Sequence, residues 1–199
     1  MREHLRLILL SVIAATLFAC GGDDSNAPTP DAAPLNYSGP VIINLSAKSS
    51  DVAQSAISNE KGIMSESGNP YGAFVTAARQ ALGGREPSRI DLRSLTLVLG
   101  ANSTGVTKLD DVYTGTVDVL FVMGGSNNSY PVGTVMNPTG IGPVTMTPVF
   151  TYASVAAGDV APLRSGNFKV VIRGAAATGF SSKGATADLQ LTFGFAAFE

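Results

Sequence analysis

Few side chains in this chain of 199 residues could act as nucleophiles or as catalytic bases. It contains one cysteine, Cys20, and one histidine, His4. A single cysteine excludes an internal disulfide and any metal site that needs several thiolates. Because no histidine follows residue 4, the rest of the chain cannot form a Ser-His-Asp or Cys-His arrangement, nor an imidazole-bound zinc site.

Four acidic side chains remain as candidates for general acid and base catalysis. Two carboxylates flanking a glycosidic bond can hydrolyse it, one as the acid and the other as the base or nucleophile. The candidates are Glu66, Asp110, Asp111 and Asp118. Their spacing singles out no pair, and without tryptophan there are few aromatic platforms for a sugar. We therefore expect no catalytic residues and a protein that is not an enzyme. A carboxylate-based hydrolase is kept as the second alternative to the binding module and the carrier described at the end of this section.

The adjacent carboxylates of Asp110 and Asp111 also suggest a metal site. Calcium takes several oxygen ligands from carboxylates, amides and backbone carbonyls. Asn102 and Asn127 could add amide oxygens, but only if the loops that carry them cluster. The alternative is that both aspartates lie in a solvated turn before a strand beginning at Val112, since no EF-hand loop is present. Apart from this candidate calcium site, the sequence predicts no cofactor and no cofactor-binding residues.

The first 19 residues have the composition of an export signal. Two arginines precede an apolar run over residues 7–19, which is too short to cross a bilayer as a helix. The run closes with Leu17, Phe18, Ala19 and Cys20, followed by two glycines. At these residues the chain resembles the precursor of a bacterial lipoprotein.

This resemblance covers about the first 22 residues and implies a lipobox. In such a precursor the Cys20 thiol receives a diacylglycerol, and a signal peptidase that recognises Leu17, Ala19 and Cys20 cuts before Cys20. The new amino group is then acylated, and two or three acyl chains hold a protein on a membrane where one would not. By the same resemblance, Gly21 favours the outer membrane. The alternative is an ordinary secreted protein, cut after Ala19, with Cys20 as a free thiol.

Residues 20–36 carry the lipidated cysteine and a segment that we expect to be a flexible tether. From Gly21 it reads GGDDSNAPTPDAAPLN, with three prolines, three aspartates and no aromatic residue. Such a segment cannot bury enough apolar surface to offset the entropy lost on ordering. Residues 37–199 carry 11 basic and 11 acidic side chains, so they are neutral. They lack the excess of positive charge with which proteins bind nucleic acid.

Residues 37–199 are predicted to form one mainly β domain, an antiparallel β-sandwich. Short runs of alternating apolar and polar residues are separated by turns rich in glycine, proline and asparagine, which is typical of strands with one buried face. About seven or more strands are expected, at residues 41–48, 90–99, 117–122, 132–136, 146–152, 168–173 and 188–195. Within residues 90–99, Ile90 and Leu92 fall at even positions, whereas the leucines from Leu95 onward fall at odd positions. This change in the alternation predicts a bulge near Arg93.

One short α-helix is predicted at about residues 70–82. Asn69 suits the N-cap, Pro70 suits the first helical position, and Gly83 with Gly84 supplies a stop. Apolar side chains at helical spacing form one stripe, consisting of Tyr71, Phe74, Ala78 and Leu82. We expect this stripe to pack across an open end or edge of the sandwich.

These features predict a lipid-anchored protein of the bacterial cell envelope whose β-sandwich is a non-catalytic binding or structural module, in adhesion or envelope assembly. The expected partners are the membrane, through the lipid, and a protein, glycan or apolar ligand of unknown identity; no nucleic acid is expected. The first alternative is a carrier that holds an apolar ligand in a cavity under the helix. Solid packing beneath the helix would argue against that alternative.

Overall fold

A computed structural model describes residues 35–199. The strands are β1 (Asn36–Lys48), β2 (Ala56–Gly62), β3 (Arg89–Leu99), β4 (Tyr113–Met123), β5 (Ser129–Met136), β6 (Val144–Pro148), β7 (Phe168–Ala176) and β8 (Thr186–Phe198). The helices are α1 (Pro70–Ala81) and α2 (Val160–Ser165). Neither is long and apolar enough to cross a membrane. The predicted signal peptide, the lipobox with Cys20 and the tether as far as residue 34 lie outside the described residues.

The strands form one antiparallel, nearly closed sheet in the order β1-β8-β3-β6-β5-β4-β7-β2. The short strand β6 pairs with β3 through residues 144–146 and with β5 through residues 147 and 148. It therefore passes from one half of the sheet to the other, so that the two halves face each other across the core. The prediction of a mainly β, antiparallel sandwich is confirmed.

The pattern of apolar residues sets the buried face of each strand. In β1 the alternate residues Val41, Ile43 and Ala47 are completely buried, as their two-residue period predicts. In β3 the register against β8 shifts between Leu92 and Ser94, so the predicted bulge near Arg93 is confirmed. The bulge lets the apolar residues on both sides of it face the same core, because one extra residue reverses the alternation.

Helix α1 forms where its capping residues predict. The Asn69 side chain accepts a hydrogen bond from the Gly72 N–H at 3.0 Å, which satisfies one of the free donors at the helix start. Pro70 occupies the first helical position. At the other end, the Gly84 N–H donates to the Arg79 carbonyl at 2.8 Å, and the glycine adopts a φ of 86° that favours glycine.

The apolar stripe of α1 packs between the two halves of the sheet. The ring of Tyr71 meets Phe168 of β7 edge-on at 5.3 Å and Phe195 of β8 at 5.6 Å. Phe121 of β4 lies 5.7 Å from the ring of Phe193 in β8, which continues the ring contacts across the core. Aromatic rings thus occupy the space beneath α1, and a carrier of an apolar ligand would have to displace them.

Two elements are present that the sequence did not predict. The first is β2, an edge strand in which only Ile57 is buried, so it lacks the alternation by which the other strands are recognised. The second is α2, whose six residues include Pro162 and one buried side chain, Leu163. Both are short segments that receive their structure from neighbours, β2 by pairing with β7 and α2 by packing beside α1.

The strand directions define two ends of the domain. We call one the α1 end: β1 begins there, β8 finishes there, and α1 covers it. We call the other the loop end; it consists of residues 100–112, 137–143 and 177–185. The 13 residues of β1 run from the first end to the second, a distance of about 40 Å.

Replacing Tyr71 by phenylalanine tests how α1 is fixed. The Tyr71 hydroxyl donates a buried hydrogen bond to the Leu163 carbonyl of α2 at 2.7 Å. Its loss should lower the free energy of unfolding by about 1 to 3 kcal/mol, measured by denaturant unfolding. Tyr37→Phe removes the same atom from a half-buried ring and should cost less. Equal losses from the two variants would show that this hydrogen bond does not hold the helices together.

Candidate functional site

The loop end carries the two aspartates that the sequence singled out. Asp110 and Asp111 lie in a single 3-10 turn, Leu109–Asp111, immediately before β4. The turn is fixed because Leu109 is completely buried, while its N–H donates to the Gly140 carbonyl at 2.7 Å. A second 3-10 turn beside it is held in the same way by the buried ring of Phe180. Each loop is therefore held in place by one apolar side chain.

The carboxylate of Asp110 is engaged by a lysine and a backbone N–H. Its Oδ2 lies 2.6 Å from the Lys108 ammonium, and its Oδ1 accepts a hydrogen bond from the Gly140 N–H at 3.2 Å. The hydrogen bond from Lys108 is the main reason that the pKa of Asp110 lies below its ordinary value. The side chain is charged at neutral pH and joins residues 108–111 to the loop at residue 140.

The carboxylate of Asp111 is engaged by different partners. Its Oδ2 accepts hydrogen bonds from the Thr107 N–H at 2.9 Å and the Thr107 hydroxyl at 3.1 Å, while its Oδ1 lies 3.7 Å from the Lys183 ammonium. These contacts, the Thr107 N–H first, hold the pKa of Asp111 below its ordinary value. The two adjacent aspartates thus interact with separate lysines.

The surroundings of these aspartates bear on the predicted calcium site. Within residues 35–199, no group of three or more His, Cys, Asp or Glu side chains is arranged to hold a metal ion. Asn102 reaches the loop end, where its amide lies 3.5 Å from Asp188, but Asn127 lies in the turn after β4, at the α1 end. A calcium ion would have to displace two ammonium groups, and the site stays a prediction.

Asp110 and Asp111 lie at the rim of an open hollow of about 320 Å³. Besides them, its lining includes Thr114, Asn137, Pro138, Ala177, Thr178 and Lys183. Carboxylate, amide, hydroxyl and ammonium groups therefore face one small space, with apolar Pro138 and Ala177 between them. Such a mixture of donors and acceptors can bind a polar ligand by hydrogen bonds and needs no metal.

One wall of the hollow depends on a bulge in β4. Gly115 has a φ of 67°, which favours glycine, and the pairing of β4 with β7 shifts between Thr114 and Val117. Asn137 holds this bulge, because its Oδ1 accepts from the Gly115 N–H at 2.8 Å and its own N–H donates to the Gly115 carbonyl at 2.7 Å. The predicted turn at residues 137–140 is thus also a positioning element for the hollow.

The other two acidic candidates lie outside the hollow. Asp118 is on β4, with its Oδ2 3.8 Å from the Arg173 guanidinium of β7. Glu66 lies at the junction of the two edge strands, where its Oε2 accepts a hydrogen bond from the Asn44 N–H of β1 at 2.6 Å. The structure thus brings Asp110 and Asp111 into one site, whereas Asp118 and Glu66 make separate contacts with their own basic partners.

Glu66 and Lys61 form a contact that we call the edge latch. The Lys61 ammonium donates to the Asn44 carbonyl at 3.0 Å and to Glu66 Oε2 at 3.0 Å. The edges of β1 and β2 share no backbone ladder, so these two side chains satisfy the N–H and C=O of Asn44 that another strand would otherwise bind. The Glu66 side chain is only 10% exposed. Its role is therefore to hold the two halves of the sheet together.

The charge of Glu66 is stabilised by this contact. Burial alone would raise the pKa of the carboxyl group, but hydrogen bonds from the Asn44 N–H, the Lys61 ammonium and the Ser67 N–H lower it more. The pKa of Glu66 therefore lies below its ordinary value of 4.5. The Glu66 carboxyl group binds a proton more weakly in the folded protein than in the unfolded chain. The edge latch therefore makes its full contribution to the free energy of unfolding only above pH 4.5, and loses it as the pH falls.

Sequence reasoning missed several residues that shape the site. Lys183 and Thr178 lie in the loop between β7 and β8, and nothing in their local sequence indicates that they meet Asp111, about 70 residues away. Asn137 was recognised as a turn residue only. The pairing of Lys61 with Glu66, five residues apart, is equally hidden, because the connection between them is not a regular helix.

Replacing Glu66 by glutamine tests the edge latch. The variant keeps the shape of the side chain but loses the charge, so the free energy of unfolding should fall by about 1 to 3 kcal/mol at neutral pH. The difference from the wild type should shrink as the pH falls below 4.5, since the wild-type carboxylate then gains a proton. Denaturant unfolding at neutral and acidic pH measures both effects.

Glu60→Gln is the matched control for this experiment. Glu60 lies on the same strand, β2, and its carboxylate meets the Lys169 ammonium in an exposed pair. Exposed pairs contribute little to stability, so the change should be about 0 to 1 kcal/mol. If the two variants behaved alike, or if the effect of Glu66→Gln grew at acidic pH, the role assigned to the edge latch would be wrong.

Known proteins offer no relative from which a function could be transferred. Comparison with known protein families, with curated proteins and with solved structures found no match. The proposal below therefore starts from the chemistry of the hollow at the loop end and from the predicted lipobox.

Proposed function

We propose that this protein is anchored to a membrane of the bacterial cell envelope by lipid on Cys20 and that its β-sandwich is a non-catalytic binding module. In this proposal the signal peptide is residues 1–19 and the tether is residues 20–36. The hollow at the loop end, lined by Asp110, Asp111 and Lys183, is the binding site. Its ligand is a polar group on a protein or a glycan, because the lining donates and accepts hydrogen bonds.

The placement of Leu35, the first described residue, relative to the hollow is the observation that supports this proposal. Leu35 lies at the α1 end, where its carbonyl accepts a hydrogen bond from the Glu199 N–H at 3.2 Å. The chain that leads back to Cys20 joins the domain at this residue. The hollow lies at the other end of the strands, about 40 Å away. A tether at Leu35 leaves the hollow at the end of the domain that is not attached to the membrane, where a partner can reach it.

The alternatives require features that the described residues do not favour. A carboxylate-based hydrolase needs an acid and a base that share one substrate, whereas Asp110 and Asp111 are charged and held by separate lysines. A carrier needs a cavity under α1, where the rings of Tyr71, Phe168 and Phe195 lie in contact. Of the three functions, the binding module is the one that uses the hollow as it stands.

Replacing Cys20 by serine tests the anchor. The variant should lose acylation and leave the membrane fraction, or accumulate as an uncleaved precursor, because the thiol is the group that receives the lipid. Cell fractionation and metabolic labelling with palmitate measure these outcomes. Ser25→Ala, a change in the tether, should leave acylation and fractionation unaltered. Unchanged processing and membrane association in Cys20→Ser would contradict the lipid anchor.

A photo-crosslinking amino acid in place of Thr178 tests the binding site. Thr178 is exposed at the hollow, so the probe should form adducts with a partner in intact cells. The same amino acid in place of Ser58, exposed on β2, is the control and should form few. Gel mobility of the crosslinked protein measures the adducts. Equal yields from both positions, or none from Thr178, would overturn the assignment of the hollow as the binding site.

A further inference from the structure

The arginines of the described chain are gathered at the α1 end. Residues 35–199 contain six arginines. Five of them lie within residues 85–93 or contact that segment, as Arg79 does through Glu86 and Arg164 through Ser88. These five, Arg79, Arg85, Arg89, Arg93 and Arg164, are here called the arginine cluster. The sixth, Arg173, pairs with Asp118 on the side of the sheet. Composition alone shows a neutral domain, but its positive charge is unevenly distributed.

Contacts within the arginine cluster leave an excess of positive charge. Arg79 pairs with Glu86 at 2.7 Å, and Arg85 pairs with Glu199. A single carboxylate, Asp91, serves both Arg89 at 3.3 Å and Arg93 at 3.1 Å.

Arg164 has no carboxylate partner among the described residues. Its guanidinium donates to the Ser88 carbonyl and to the Tyr152 hydroxyl, and its Nε–H has no acceptor there. Five guanidinium groups are thus balanced by three carboxylates. The arginine cluster therefore carries a net positive charge, whereas at the loop end the carboxylates of Asp110 and Asp111 are balanced by Lys108 and Lys183.

Four of the five arginine side chains are well exposed, and two of these are held over an aromatic ring. Between 46% and 61% of each side chain is exposed for Arg79, Arg85, Arg89 and Arg93. The guanidinium groups of Arg89 and Arg93 lie over the ring of Phe198, at 4.2 and 5.3 Å from its centre. Each guanidinium has five N–H donors, and the contact with Asp91 uses one nitrogen of each, Nε of Arg89 and Nη2 of Arg93. The other N–H donors lie at the edge of the stacked group, where their fork geometry matches a phosphate.

The arginine cluster adjoins the residue at which the tether joins the domain. Asn36 pairs with Phe198, the ring beneath Arg89 and Arg93, and Leu35 contacts Glu199, the partner of Arg85. We propose that the arginine cluster docks on the anionic headgroups of the membrane that holds the lipid on Cys20. This inference rests on the proposed lipid anchor. Docking would hold the domain with its loop end outward, where a tether alone would let it rotate.

The test uses the acylated protein, purified from membranes and inserted into vesicles. With Cys20 acylated, a single introduced cysteine accepts a fluorescent donor, either Gln80→Cys at the α1 end or Ser181→Cys at the loop end; both residues are exposed. Lipid headgroups carry the acceptor. On vesicles of phosphatidylglycerol and phosphatidylcholine in equal parts, energy transfer should be much stronger from position 80 than from position 181. On phosphatidylcholine alone, the difference should be largely lost.

A charge-neutralised variant and a matched control complete the test. The triple variant Arg85→Gln, Arg89→Gln and Arg93→Gln should lose the difference on anionic vesicles. The control variant Lys48→Gln, Lys108→Gln and Arg173→Gln removes the same charge from exposed positions away from the α1 end and should keep the difference. Raising the salt concentration should weaken the difference, since salt screens exposed charges beyond about 10 Å at 0.1 M. Thermal unfolding checks that both variants fold.

The outcomes separate this inference from the anchor on which it rests. Acylated protein that shows equal energy transfer from both positions on anionic vesicles would overturn the docking and leave the anchor standing. The docking would also be overturned if the control variant lost the difference as fully as the arginine variant. Protein recovered from membranes without acyl chains would overturn the lipid anchor, and the docking with it.

Discussion

The packing of Tyr71 between Phe168 and Phe195 is the contact on which the rest of the structure depends. It joins α1 to β7 in one half of the sheet and to β8 in the other, so the helix and both halves hold one another in place. Because the rings fill the space beneath α1, that end of the domain is closed. The loops at the other end form the polar hollow of about 320 Å³.

The distribution of charge follows from the same arrangement. Antiparallel pairing places the start of β1 beside the end of β8, and α1 covers both, so the arginines near residues 79–93 gather beside residue 35, where the proposed tether would join. The aspartates and lysines of the loops gather about 40 Å away. Two ends with different chemistry suggest two tasks. In our account the α1 end faces the membrane and the loop end meets the ligand, while the edge latch of Lys61 and Glu66 keeps the sheet between them closed.

The sequence predicted the strands, the bulge and the helix whose patterns lie within a few neighbouring residues. Alternation in β1, the phase change near Arg93 and the capping of α1 by Asn69 are each contained within a few residues, and the structure confirms them. β2 was missed because an edge strand with one buried residue shows no alternation. At the candidate site, adjacent Asp110 and Asp111 could be found, whereas Lys183 and Asn137 could not. Their contacts join segments far apart in the chain, and only the strand pairing brings them together.

The central claim is that Cys20 is a lipid anchor, because both the orientation of the domain and the docking of the arginines depend on it. Mass spectrometry of the N-terminal peptide of the protein purified from membranes tests it most directly. Our account predicts a peptide that begins at Cys20 and carries the added mass of a diacylglycerol and a third acyl chain on the amino group. A mature chain that begins elsewhere, or an unmodified thiol at Cys20, would contradict it.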